Sequence, residues 1–258
     1  MLPIEYFDHF RAELFALPVK PHGYTREELI NKRFHDFSDC GLDVYYAPFH
    51  YLNKNARVLL MGLTPGWTQM EKAFRAARLG IAQGLDGEAL FHHIDMTACF
   101  GGGLMRNNLI SMLNEIGLHR CLKIGSCADL FDLQKPGPPL AGFTSAVSAP
   151  IFRKGSNYRG YGPQLLQVPR LKQWVLENLA KEFASVHEAV IVPLGTVANE
   201  VIQFLHGHEP PLIRPDRCFT GFPHPSGANG HRKPVFERGR ERWREQLARW
   251  FQNPTDYK

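Results

Sequence analysis

The sequence contains no Cys-x-x-Cys pair, no internal repeat, no low-complexity tract and no Gly-x-Gly-x-x-Gly fingerprint. Nor does it hold an apolar run long enough to span a bilayer. Its five cysteines, Cys40, Cys99, Cys121, Cys127 and Cys218, are an odd number at unrelated spacings. That count suits reduced thiols rather than a disulfide framework. Cys121 and Cys127 stand too far apart to form half of a zinc or iron–sulfur site, so no metal and no cofactor is expected. The first twenty residues alternate acids, bases and aromatics and lack the apolar stretch of a secretory signal. The expectation is a cytoplasmic protein with no membrane partner and no obligatory protein partner.

What is present is an ordinary globular composition. The 258 residues are 44% hydrophobic and 21% charged, which suits one domain over 1–258, with N-terminal helices in 1–50 packing on a core at 57–251. The formal net charge of +5 permits a polyanionic partner without proving one.

Apolar periodicity sets the expected elements. Ile4, Phe7, Phe10, Leu14 and Leu17 recur at helical spacing over 2–17, and Thr25-x-x-Glu28 reads as a capping box opening a second helix. Arg57–Gly62 reads as a buried strand, followed by helices at 68–83 and 104–117. In the latter, Leu104, Leu109, Met112, Leu113 and Ile116 read as one stripe. Phe143–Ala149 is the next strand, entering a loop at 150–159, and a helix follows at 169–184. Ala189–Gly195 is apolar throughout, the pattern of a strand buried on both faces, and it runs into a helix at 196–206. A short strand at Arg217–Gly221 and a helix at 234–251 complete the chain. Strands alternating with helices predict an α/β fold, a three-layer α/β/α sandwich with a short central parallel sheet.

In such a sheet, ligands bind beyond the carboxyl ends of the strands. Three Gly/Pro-rich loops leave strands in this sequence: Leu63-Thr64-Pro65-Gly66, the 150–159 segment and the 223–232 segment. They are expected to surround one pocket. Taken singly, each has a plain reading as a turn, and the basic side chains Arg153, Lys154 and Arg159 have a plain reading as a solvated face.

Together and in order, the pieces resemble the uracil-DNA glycosylase superfamily. A strand running into Gly62-Leu63-Thr64-Pro65-Gly66 and a late His224-Pro225-Ser226 look like its two signature loops, whose first loop takes forms such as GINPG or GEAPG. Phe100-Gly101-Gly102 resembles the segment that stacks on the extruded base. Thr144–Pro150 through Asn157-Tyr158-Arg159 resembles the T-N-V-V-K-C-R-P-P…N-R stretch of the thermostable branch, and Leu194-Gly195-x-x-Ala198 its strand–helix junction. The resemblance spans roughly residues 57–250.

It implies a DNA glycosylase of uracil-DNA glycosylase-like fold that hydrolyses the N-glycosidic bond of a flipped-out damaged or modified base, a nucleoid-associated protein whose partner is DNA carrying that base. Thr64 and His224 take the catalytic positions, and Leu63, Phe100, Ser145 and Asn157 the base-binding ones. Pro65, Gly66, Arg153, Lys154, Ser226, Gly227, Asn229 and Arg232 take the DNA-binding ones. Three departures stand out. Thr64 occupies the place of a water-activating Asp or Asn, Ser145 that of an Asn that reads uracil, and the four cluster cysteines of the thermostable branch are absent. Thr64 keeps a second function open, a nucleic-acid-binding protein that retains the fold without the chemistry, because a hydroxyl without an adjacent base cannot take a proton from water at neutral pH.

Overall fold

A computed structural model describes residues 3–49, 51–100 and 103–252, with the side chains of 3–5 excepted. In chain order these residues form α1 (Pro3–Phe15), α2 (Arg26–Leu29), β1 (His35–Asp39), β2 (Leu42–Tyr45), β3 (Val58–Gly62), α3 (Trp67–Ala82), α4 (Gly87–Ala98) and α5 (Gly103–Glu115). They continue with α6 (Leu118–Cys121), β4 (Ala141–Ser145), β5 (Ile151–Arg153), β6 (Ser156–Asn157), α7 (Pro169–Trp174), α8 (Ala180–Ser185), β7 (Val190–Pro193), α9 (Thr196–His206) and α10 (Arg232–Gln252). The chain is mixed α/β and divides into two compact units.

The first unit comprises 1–52, 63–101 and 145–179. Its sheet has the order β1-β2-β5-β6, with antiparallel neighbours throughout. Both hairpins close on two-residue turns with positive φ at each position, Cys40-Gly41 in one and Lys154-Gly155 in the other. That backbone matches the right-handed twist of the strands. Phe10, Leu14, Phe34, Tyr46, Phe74, Ile94 and Phe152 are buried in one aromatic-rich core. Phe10 stacks on Tyr46 at 4.5 Å between ring centroids, and Tyr6 meets Phe10 edge-on at 5.4 Å. Phe7, Phe10, Leu14 and Leu17 of the expected first-helix stripe are all buried, while Ile4 falls outside the described side chains.

The second unit comprises 53–62, 102–144 and 180–258. Its three-stranded sheet has the order β4-β3-β7, with β3 and β7 parallel in the register Val58↔Val190 and Leu60↔Val192. β7 is buried along its whole length and β3 along all but its last residue, as their unbroken apolar sequences require. β4 lies so close to β3 that a Cβ on Gly142 would stand 2.5 Å from Leu59 Cδ2. Arg217 is buried. Its guanidinium donates to the carbonyls of Ala189 and Phe183, each at 3.0 Å, and to that of Val186, thereby closing the C-terminal end of α8.

Several expected elements are displaced. Arg217–Gly221 is not a strand: Pro215–Arg217 is a 3₁₀ turn, and beyond it only Cys218 bridges to Ile191. The turn draws the Cys218 N–H back to the Pro215 carbonyl, which takes it out of a ladder. The strand expected at 143–149 lies at 141–145. The expected loop 150–159 holds β5 and β6, because Lys154-Gly155 is a hairpin turn. The N-terminal fifty residues contain the β1–β2 hairpin besides helices, and the helix at 169–184 is interrupted by a π turn at Val175–Leu179.

Candidate functional site

In the second unit the junction after β7 builds a platform for His224. Gly195 has φ +95 and ψ 175, a conformation open almost only to glycine. Its N–H donates to the Phe222 carbonyl at 3.0 Å, so the segment leading to His224 is drawn against it. A Cβ on Gly195 would meet His224 Cβ at 3.0 Å. Asn199, one turn into α9 and buried, locks the arrangement. Its Nδ2 donates to the carbonyls of Gly195 at 2.7 Å and Pro193 at 3.3 Å, and its Oδ1 accepts from the Gly221 N–H.

The loop beyond folds on itself. The Ser226 N–H donates to His224 Nδ1 at 3.2 Å. That bond assigns the proton of a neutral imidazole to Nε2, which is then a donor. The residue as a whole keeps solvent exposure, and desolvation of the ring pushes its pKa below the ordinary histidine value, which favours the neutral form. Asn229 Nδ2 donates to the His224 carbonyl at 3.1 Å, and Asn229 Oδ1 accepts from the His231 N–H at 3.2 Å. Ser226 Oγ accepts from the Ala228 N–H at 3.2 Å, and Arg232 Nη1 donates to the Ser226 carbonyl at 2.7 Å. Asn108 of α5 donates to the Pro225 carbonyl at 2.9 Å. Ser226, Asn229 and Arg232, expected as phosphate contacts, thus each make bonds that shape the loop, while Gly227 and Ala228 form an exposed tip.

In the first unit the turn after β3 is held by two segments distant in sequence. The Leu63 carbonyl accepts from the Val147 N–H at 3.1 Å, and Thr64 Oγ1 donates to the Ala149 carbonyl at 2.5 Å. Pro65 is buried and Gly66 caps α3. Asn157 Oδ1 accepts from the Trp67 N–H at 3.0 Å, and its Nδ2 lies 2.9 Å from where a Gly66 Cβ would stand. Asn157 therefore lies against Gly66 and Trp67, while Leu63 and Thr64 are held by Val147 and Ala149. Ser145 is half-buried at the end of β4. Phe100 is buried and has a left-handed backbone, φ +49, which a bulky residue adopts only under constraint. Arg153 and Lys154 are exposed on the β5–β6 hairpin. Arg26 lies over the Trp67 ring at 5.2 Å and donates to the Gly155 carbonyl at 2.6 Å, fixing that hairpin beside the turn.

Sequence reasoning missed Asn199 and Asn108. A polar residue on the buried face of an apolar helix was the available signal for Asn199. Asn108 carried none, because its partner is a backbone carbonyl more than a hundred residues away. Burial pushes the Cys127 and Cys218 thiols up to about 12, which makes them inert packing groups. Among the described residues no helix is long and apolar enough to cross a membrane.

No family model matches the sequence. The uncharacterized protein YoxB of Bacillus subtilis (strain 168) is 32% identical over 229 residues, 88% of this chain and 87% of the other. With that identity spread over nearly the full length of both chains, the protein belongs to the same family as YoxB.

Proposed function

We propose that the protein is a DNA glycosylase, of the uracil-DNA glycosylase superfamily, that hydrolyses the N-glycosidic bond of one altered base extruded from DNA. The observation that carries this reading is His224, a neutral imidazole whose Nδ1 is occupied by the Ser226 N–H and whose Nε2–H is left to donate. Breaking the bond builds negative charge on a base oxygen, and a neutral donor already held in place stabilises that charge by about 3 kcal/mol. The Gly195–Asn199 platform supplies the preorganisation.

Thr64 does different work from a carboxylate. With its hydrogen engaged by the Ala149 carbonyl, its oxygen can accept a hydrogen bond from water and orient it. It cannot take the proton. The chemistry then rests chiefly on stabilising the departing base. Ser145 offers a hydroxyl in place of an amide, which leaves room and removes one donor, so the preferred base is larger than uracil. The exposed Arg153 and Lys154 suit a phosphate backbone, as does the net charge of +5.

The same Thr64 engagement favours a second reading, a DNA-binding protein without hydrolysis. A competition assay separates the two, with duplexes carrying uracil, a 5-substituted uracil or a deaminated purine. Glycosylase action predicts base release that favours a larger base, and a loss of about a hundredfold in His224→Ala with DNA binding retained. Release at the parental rate in His224→Ala would give that histidine a structural role only. Binding without release from any duplex would establish the second reading.

A further inference from the structure

His224 does not hold its tautomer alone. The Ser226 N–H that donates to its Nδ1 at 3.2 Å belongs to the same rigid peptide plane as the Pro225 carbonyl. That carbonyl accepts from Asn108 Nδ2 of α5 at 2.9 Å and from Arg232 Nη1 at 3.3 Å. The proline ring fixes φ at residue 225, so its ψ is the torsion that swings the plane. Turning it takes the Ser226 N–H off the imidazole and the carbonyl off Asn108 together. A donor on the carbonyl also polarises the peptide and strengthens the N–H on its other side. Arg232 makes its shorter bond, 2.7 Å, to the Ser226 carbonyl, which belongs to the next peptide. Asn108 bears on the plane itself, from a helix whose Leu109, Met112 and Leu113 are buried.

We propose that Asn108 is a positioning residue of this site: through the Pro225–Ser226 peptide it holds the His224 ring with its proton on Nε2. The consequence for catalysis rests on the base-excision reading; the geometry does not. As negative charge gathers on the departing base, the Nε2–H donates more strongly and Nδ1 becomes a better acceptor. The Ser226 N–H, and behind it the Asn108 amide, then tighten in turn, so that charge spreads along the chain of bonds while no proton moves. The gain is larger in the transition state than in the bound ground state. It therefore acts on kcat rather than on KM.

Asn108→Asp tests this, because it keeps the shape of the side chain and loses the donor: an ionised carboxylate only accepts. Asn108→Ala removes the donor without adding charge. In protein labelled with 15N-histidine, the ring shifts of His224, assigned by their absence from His224→Gln, read the tautomer directly at mildly alkaline pH, where the ring is neutral. In the parent, Nδ1 should show the shift of an acceptor and Nε2 that of a donor. In both variants the two shifts should move towards each other, as the second tautomer becomes populated. On a duplex that the parent cleaves, kcat should fall about three- to tenfold, the worth of one hydrogen bond, with KM within about twofold. Parental ring shifts in both variants would overturn the proposal whatever happens to the rate. A rise in KM at unchanged kcat would overturn the relay of charge. If the parent releases no base from any duplex, the excision reading falls, and the ring shifts alone decide the role of Asn108.

Discussion

Replacing Gly195 by alanine puts strain at the base of the His224 platform. Its φ of +95 with ψ 175 lies where only glycine is comfortable, at a cost of about 1–3 kcal/mol for any other residue. The new methyl would stand 3.0 Å from His224 Cβ, closer than carbons pack, and the surroundings on the helix side are fixed by Asn199. Relief therefore requires the 222–224 backbone to shift away, which weakens the bond from the Gly195 N–H to the Phe222 carbonyl. Together these effects amount to about 2–4 kcal/mol. Urea denaturation followed by circular dichroism measures the loss as a lower midpoint at unchanged slope. Under the proposed function, base release should also fall, because a displaced Nε2–H no longer meets the charge it stabilises. A loss of under about 0.5 kcal/mol, the size of an ordinary surface substitution, would refute the platform argument.

Asn199→Ala should cost about 1–2 kcal/mol, since it removes the side-chain partner of the Gly221 N–H and of the buried Pro193 carbonyl, while the Gly195 carbonyl keeps the backbone N–H of residue 199; a urea midpoint near the parent's would contradict this. Glu182 on α8 accepts from the Thr144 hydroxyl at 2.9 Å, and burial raises its pKa from 4.5 to about 7. The folded state thus holds this proton more tightly than the unfolded one, and the contribution is greatest below pH 4.5 and declines as pH rises through 7. Unfolding free energies across that range should decline by on the order of 3 kcal/mol, flattened in Glu182→Gln; an unchanged slope in the variant would place the effect elsewhere.

The elements that were legible in the sequence are those whose periodicity is unambiguous. The apolar run at 189–195 could only be a buried strand, and Phe236, Trp243 and Leu247 at helical spacing fix α10. The two hairpins were not legible, because their signal sits in Cys40-Gly41 and Lys154-Gly155, where a non-glycine residue takes positive φ against its preference. Leu104, expected in the stripe of α5, is instead 74% exposed for a geometric reason: it is apolar and helical, but five residues before Leu109 rather than three or four. At the candidate site, both partners of the Asn157–Gly66 contact were singled out in the sequence, by the resemblance and not by periodicity. That Ser226, Asn229 and Arg232 bond within their own loop was not legible, since side-chain-to-backbone bonds leave no periodic trace.

The most direct test of base excision is to look for its two products. The protein is incubated with duplexes that each carry one altered base, from uracil to larger modified pyrimidines and deaminated purines. Mass spectrometry then searches for the free base, and alkaline cleavage for the abasic site. Base excision yields both products from at least one duplex, in equal amounts, with the free base larger than uracil. Intact strands and no free base from every duplex, with protein shown to be folded and bound to DNA, would contradict it.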